Sequence, residues 1–227
     1  MTYINSPPQI SIPITGCDKT FLVHRIFCVG RNYQKHIVEM GYEESDTPFV
    51  YFMKPPEAIV NNVAEIPIPG FTDDFQHEVE LVVAIGKEGS NISAGIALEH
   101  IYGYAVGIDM TCRDLQRAAK EQGKPWSLAK SIPNSAPISS ITPAEECGHI
   151  DSGTIQLIVN GEERQKSDIK NMVRNSAAIV NELSKIYTLY PGDIIFTGTP
   201  EGVGPVESGD KIEASIAELK PLSCSII

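Results

Sequence analysis

The residues best suited to do chemistry in this chain are two glutamates two positions apart, Glu78 and Glu80, in the stretch 75–86. The centre of that stretch is β-branched and apolar and Gly86 closes it, which predicts a strand. Side chains alternate along a strand, so the two carboxylates fall on one side. Facing an interior they would repel and take up protons unless a cation lay between them. Oxygen donors of this kind suit a hard divalent ion such as Mg2+ or Mn2+. An exposed edge strand with two solvated glutamates carries the same pattern, so the pair alone leaves both readings open.

Three further signals could join that pair. His36 and Glu39 lie three apart in 31–40, so on a helical turn they share a face. Standing alone they read first as a surface ion pair. Asp109 follows the apolar, β-prone run 101–108, where a strand end would fix a carboxylate well; a helix cap is the competing reading. Lys130 sits in a short, mostly apolar stretch, where a lone lysine usually snorkels to solvent. The glycine-rich turn 197–204 carries two hydroxyls, Thr197 and Thr199. It lacks a Lys-Ser/Thr ending and opens no clear helix, so it is not a phosphate loop.

The elements that must position these residues are mostly strands. Apolar runs at 27–30, 49–54, 154–159, 193–198 and 211–216 read as strands. Asn160-Gly161 between 154–159 and 162–165 is a two-residue hairpin turn signal. Helices are expected over 31–40 with Gly41 as the stop, over 114–122 with Gly123, and over 176–187, where Ile179, Val180, Leu183 and Ile186 form an apolar face. Residues 1–24 read as an arm or short strand, 43–48 as an acidic loop, 66–70 as extended and irregular, and 131–143 as a long Ser- and Pro-rich connection. Strands and helices never alternate regularly, which favours an α+β, mainly β single domain over 25–227 and excludes a doubly wound parallel sheet.

Composition narrows the partners. The 227 residues carry a formal net charge of −11, which argues against nucleic acid or anionic membrane as a partner. A small anionic substrate remains compatible, because it responds to local charge. No apolar run is long enough to span a bilayer, and the N-terminal residues lack the basic and apolar regions of a signal peptide. The five cysteines are scattered and contain no CxxC pair. A disulfide framework or zinc site is not expected, and a reducing cytoplasm is.

Six stretches, taken together, resemble the fumarylacetoacetate hydrolase superfamily, in particular its small acylpyruvate hydrolase and oxaloacetate decarboxylase members. They are Val29-Gly30-Arg31-Asn32-Tyr33 with His36 and Glu39; Lys54-Pro55-Pro56; His77-Glu78-Val79-Glu80-Leu81; Gly107-Ile108-Asp109-Met110-Thr111-Cys112-Arg113-Asp114-Leu115-Gln116; Gly123-Lys124-Pro125-Trp126 with Leu128-Ala129-Lys130; and 192–204. They follow the family order and cover about residues 25–217.

The resemblance implies a mixed β-sandwich roll, barrel-like, with a metal in its mouth, usually built as a homodimer. It implies Glu78, Glu80 and Asp109 as ligands of Mg2+, with Mn2+ or Ca2+ as alternatives. Arg31, Arg113, Gln116, Lys130 and Thr199 would line the pocket for an α-keto acid head group, where fixed positive charge meets a dianion and a developing enolate. His36, Glu39 and Lys130 would be the catalytic groups, with Glu39 orienting His36 on a short lid helix and His36 taking a proton from water. The implied reaction is hydrolytic C–C cleavage of a 3-acylpyruvate to pyruvate and a carboxylic acid, with oxaloacetate decarboxylation reachable through the same enolate. The competing expectation is an isomerase or decarboxylase of aromatic-degradation intermediates such as 2-hydroxyhepta-2,4-diene-1,7-dioate. A metal-free binding module that merely keeps the fold is disfavoured by retention of Glu78, Glu80, Asp109 and Lys130. The N-terminal domain of the larger hydrolases has no counterpart in this sequence, which turns the expectation away from fumarylacetoacetate itself.

Overall fold

The computed structural model describes residues 8–43, 45, 48–62 and 64–227, so positions 44, 46 and 47 of the expected acidic loop and positions 1–7 of the arm lie outside the described residues. The architecture is mainly β, as expected. A large sheet runs in the order Val50–Lys54, Arg25–Gly30, Asp193–Phe196, Val79–Ile85, Ile101–Ile108, Ala136–Ile138 and Ile59–Asn61, with Thr142–Pro143 paired to Ile101–Ile108. A five-stranded sheet runs Glu162–Asp168, Thr154–Val159, Lys211–Ile216, Leu222–Ile226 and Ala64–Ile66.

Alternation decides what each face of the large sheet does. Val79, Leu81, Val83 and Ile85, with Phe27 and Val29, join Leu157, Ile212 and Ala214 of the five-stranded sheet in one core. Val82 and Ala84 face the other way, into a second core with Ile26, Cys28, Ala105, Ile138, Ile194 and Phe196. A strand covered on both faces is mostly apolar, and all seven residues of Val79–Ile85 are buried, with Glu80 the one charged residue among them. Glu80 shares the parity of Val82 and Ala84, so it prolongs the second row toward the mouth of the curled sheet. Gly107 stands opposite Glu80. It leaves room for the Phe196 ring and Val82, either of which a Cβ at 107 would approach to 2.5 Å.

Several expectations need correction. The stretch 75–86 is not one strand: it breaks at Glu78 into Phe75–His77, which pairs with Thr111–Cys112 and Gly204–Pro205, and Val79–Ile85. The reason is local. Val79 N–H donates to the Gln165 side chain at 3.0 Å rather than to a ladder partner, and the Glu78 carbonyl accepts from Asp109 N–H at 2.8 Å. Residues 131–143 are not a bare connection, because Ala136–Ile138 is a buried strand parallel to Ile59–Asn61. Within the arm, Ser11–Pro13 and Thr20–Leu22 form a hairpin whose Ile12 is buried in the second core. The Asn160-Gly161 hairpin is present, with φ of 51° and 82° at the turn, and its second strand runs on to Asp168. The longer helices are Gln34–Glu39, Arg113–Glu121 and Ser176–Ile186, the last capped by the Asn175 side chain on Ala178 N–H at 3.0 Å, and short helices span Ser127–Lys130 and Ala144–Cys147.

Candidate active site

At the mouth of the curled sheet, Glu78, Glu80 and Asp109 are each buried, and one oxygen from each lies within 4.8 Å of the others. Backbone geometry brings them together: Glu78 sits at the strand break, Glu80 points up the second core's row, and Asp109 leaves the adjacent strand one residue past Ile108. The exposed-edge reading of the glutamate pair is therefore excluded, and so is the cap reading of Asp109, which is 1% exposed and caps nothing.

Three cations meet two of the three carboxylates, Glu78 and Asp109. Lys130 Nζ donates to Glu78 Oε2 and Asp109 Oδ2, each at 2.6 Å, and to Thr111 Oγ1 at 2.5 Å. It is 2% exposed, so the snorkelling reading is wrong. Arg113 binds Glu78 Oε1 through Nη2, donates to Gln116 Oε1 at 2.6 Å, and to Gln76 Oε1 at 2.9 Å. Lys54, fully buried, spends its protons on Ser135 Oγ at 2.8 Å, Met110 O at 3.2 Å and Lys130 O. Its ammonium still stands 2.8 Å from Asp109 Oδ1, in an ion contact that gives that oxygen no hydrogen bond.

The donor set fits a divalent cation. Among the described residues Asp109 Oδ1 accepts no hydrogen bond and is met only by the Lys54 ammonium at 2.8 Å, which leaves lone-pair capacity for a cation. Among the described residues Glu80 accepts only the Gly198 N–H, at 2.7 Å. Burial, then the neighbouring Asp109 and Glu78, push its carboxyl well above the usual range, the condition a bound cation would relieve. Glu78 goes the opposite way. Burial opposes its ionisation, but the Lys130 ammonium and Arg113 guanidinium outweigh that and hold it well below the ordinary value. For Lys130, burial opposes the charged form, and Asp109 and Glu78 outweigh it, so its pKa lies above the ordinary value.

His36 lines the same cleft, on the short Gln34–Glu39 helix. Its Nδ1 lies 2.9 Å from Glu39 Oε2, and Glu39 Oε1 accepts the Gly202 N–H at 2.9 Å. Burial raises the Glu39 pKa, but His36 and the Gly202 amide outweigh it and keep the carboxyl below its usual value. An ionised carboxylate only accepts, so the proton of this contact sits on His36 Nδ1. Gly202 has φ of +92°, and a Cβ there would collide with the Arg164 carbonyl oxygen, so only glycine can offer this amide.

The cleft, about 480 Å³ with its open mouth, is lined by every one of the expected site residues except Glu39: Arg31, His36, Glu78, Glu80, Asp109, Arg113, Gln116, Lys130 and Thr199. Glu39 reaches it through His36. The Arg31 guanidinium lies 3.6 Å from the centre of the Tyr42 ring. Thr199 Oγ1 accepts from Gln165 Nε2 at 2.8 Å, and the same amide group holds Pro200 O at 2.9 Å. Gln165 Oε1 also faces His77 Nδ1 at 3.0 Å, so one buried glutamine ties the 197–200 turn to the strand break beside Glu78. Sequence reasoning missed Gln165, Lys54 in its paired role, and Lys120, which lines the outer cleft. A lysine inside the apolar run before Pro55 is a signal for Lys54; Gln165 and Lys120 have none.

A β-rich roll with three buried carboxylates, their counter-charges and a His–Glu pair in one cleft defines a metal-dependent enzyme for small molecules. The fumarylacetoacetate (FAA) hydrolase C-terminal family matches residues 25–227, and the chain belongs to that family. It is 44% identical, with a TM-score of 0.97 over 100% of this chain and 99% of the other, to the fumarylpyruvate hydrolase of Pseudomonas aeruginosa solved in complex with Mn2+ and pyruvate. It is 43% identical over 89% of its length to the mitochondrial oxaloacetate tautomerase FAHD1 of Arabidopsis thaliana, covering 90% of that protein. The fumarylpyruvate hydrolase of a Ralstonia species is 42% identical over 78% of this chain and 91% of its own. No helix among the described residues is long and apolar enough to cross a membrane.

Proposed function

We propose that this protein is a Mg2+-dependent hydrolase that cleaves the C–C bond of a 3-acylpyruvate, releasing pyruvate and a carboxylic acid. The observation that carries the reading is His36, held by Glu39 and lining the same cleft as Glu78, Glu80 and Asp109. A base is needed to activate water, and hydrolysis needs activated water.

In this reading Glu78, Glu80 and Asp109 hold the cation, which when bound supplies Lewis-acid polarisation of the substrate's α-keto head. Arg113 and Lys130 bind the anionic head group, with Gln116 and Thr199 beside them. His36 Nε2 takes a proton from the water that attacks the distal carbonyl, while Glu39 holds the imidazole in that tautomer. Negative charge that develops on the pyruvate oxygen as the bond breaks is met by the Lys130 ammonium. Oxygen donors favour Mg2+ or Mn2+, and the Pseudomonas enzyme was solved with Mn2+. The catalytic domain spans 25–227 with 1–24 as an arm, acting as a cytoplasmic homodimer.

The oxaloacetate relatives favour a second reading. They are named tautomerases, so the partner chemistry at such a site is proton relocation between keto and enol forms, which needs no water attack. A panel of acetylpyruvate, fumarylpyruvate, maleylpyruvate and oxaloacetate separates the two. Stoichiometric release of pyruvate and the matching acid supports hydrolysis. Enol–keto interconversion of oxaloacetate with no acylpyruvate cleavage would overturn it.

A further inference from the structure

Gln165 is the one buried residue of the strand Glu162–Asp168, which forms an edge of the five-stranded sheet and is otherwise exposed or half-buried. Across the ladder it stands opposite Leu157, a core residue, so parity turns the amide inward. The next pair is Ile158 with Glu163, which leaves Arg164 as a bulge. The carbonyl of that bulge lies against Gly202, in the loop that bears Thr199.

The Gln165 amide cannot turn over. Val79 N–H can only donate and Pro200 O can only accept, and they meet Oε1 at 3.0 Å and Nε2 at 2.9 Å. A reversed amide would set donor against donor and acceptor against acceptor. Thr199 Oγ1, 2.8 Å from Nε2, is therefore the acceptor in that bond. A hydroxyl has one proton to give, and among the described residues no group accepts the one on Thr199. Thr199 is buried and lines the same cleft as Arg113 and Lys130, so its proton is left for an acceptor inside the cleft.

We propose that Gln165 is a positioning residue of the site: by donating to Thr199 Oγ1 it makes that hydroxyl a hydrogen-bond donor to the anionic keto-acid head group. Without the amide, nothing keeps the Thr199 proton directed into the cleft. This role rests on the head-group reading above, and it extends the site to a side chain that does not line the cleft.

The test is a double-mutant cycle read by calorimetric binding of oxalate, a mimic of the head group, in the presence of Mg2+. In Gln165→Glu the new carboxylate still accepts from Val79 and His77, but it offers Thr199 an acceptor where a donor stood. The hydroxyl then turns away from the cleft. Oxalate affinity should fall about tenfold, as loss of one hydrogen bond to a charged group does, and Thr199→Val should lose about the same. Added to Thr199→Val, Gln165→Glu should cost less than about a further twofold. Added to Thr199→Ser, which keeps the hydroxyl, it should cost the full factor. Gln165→Met runs the same cycle without a new charge and carries the test if Gln165→Glu does not fold. Equal losses on the wild-type and Thr199→Val backgrounds, or undiminished affinity in the Gln165 variants, overturn this role and leave the proposed function standing. Failure of the wild type to bind oxalate overturns the head-group reading and this role together.

Discussion

The Gly202 amide donates to Glu39 Oε1 at 2.9 Å, and this one hydrogen bond ties the helix bearing His36 to the glycine-rich loop bearing Thr199. The other Glu39 oxygen faces His36 Nδ1, so a single carboxylate both latches the helix and sets the proposed base. Glu39→Gln keeps the shape and removes the charge. We expect kcat for acylpyruvate hydrolysis to fall by roughly 10², the lower end of what positioned proton transfer contributes. Exchange of the Gly202 amide, followed by mass spectrometry, should quicken in the same variant.

The latch also has a pH signature. The Glu39 pKa is lowered from 4.5, so its contribution is fully present above that value and is lost as pH falls through the lowered pKa. Protection of the Gly202 amide, corrected for intrinsic exchange, should be flat above about pH 4.5 and collapse below it, ahead of global unfolding. Protection that declines already near neutrality would contradict the assignment.

Lys54 is a stability prediction rather than a catalytic one. It is fully buried, pairs with Asp109, and satisfies two carbonyls and a hydroxyl. Lys54→Met leaves those groups without a partner, and removing one member of a buried pair costs about 3–5 kcal/mol. Urea denaturation should report that loss. A change below about 1 kcal/mol would show that water enters and replaces the ammonium.

What the sequence makes legible, and what it hides, follow from the range of the contacts. Glu78, Glu80 and Asp109 are legible only through the resemblance of six stretches taken together, because local pattern alone fits an exposed edge strand and a helix cap equally well. The Asn160-Gly161 hairpin is legible because two residues set its geometry alone. The break at Glu78 is not, because it depends on Gln165, eighty-six residues beyond Val79, drawing the Val79 amide out of the ladder. Lys130 reads as a surface lysine from its neighbours, since its partners at Glu78 and Asp109 are fixed by strand pairing rather than by local pattern. Leu222–Ile226 carries buried residues in alternation, yet its pairing to Ala64–Ile66 is parallel and long-range, so nothing nearby announces it.

Metal removal tests the carboxylate cluster. Treatment with a chelator should abolish turnover, and Mg2+ or Mn2+ should restore it. At a hundredfold excess over Kd, a ligand adds about 2.7 kcal/mol to stability, which for a chain of this size raises Tm by roughly 5–10 °C. Glu80→Gln should lose both the rescue and the Tm rise while remaining folded by circular dichroism. A full Tm rise in that variant would place the ion elsewhere.

The most direct test of the proposed chemistry compares two reactions at one site in His36→Ala. Water attack needs a base, whereas decarboxylation of oxaloacetate needs only chelation and a stabilised enolate. Acylpyruvate hydrolysis should fall by about 10² to 10⁴, the range that general-base assistance supplies. Decarboxylation of oxaloacetate should fall much less in the same preparation. Equal losses in the two reactions, or hydrolysis at the wild-type rate, would contradict the assignment of His36 as the base that activates water.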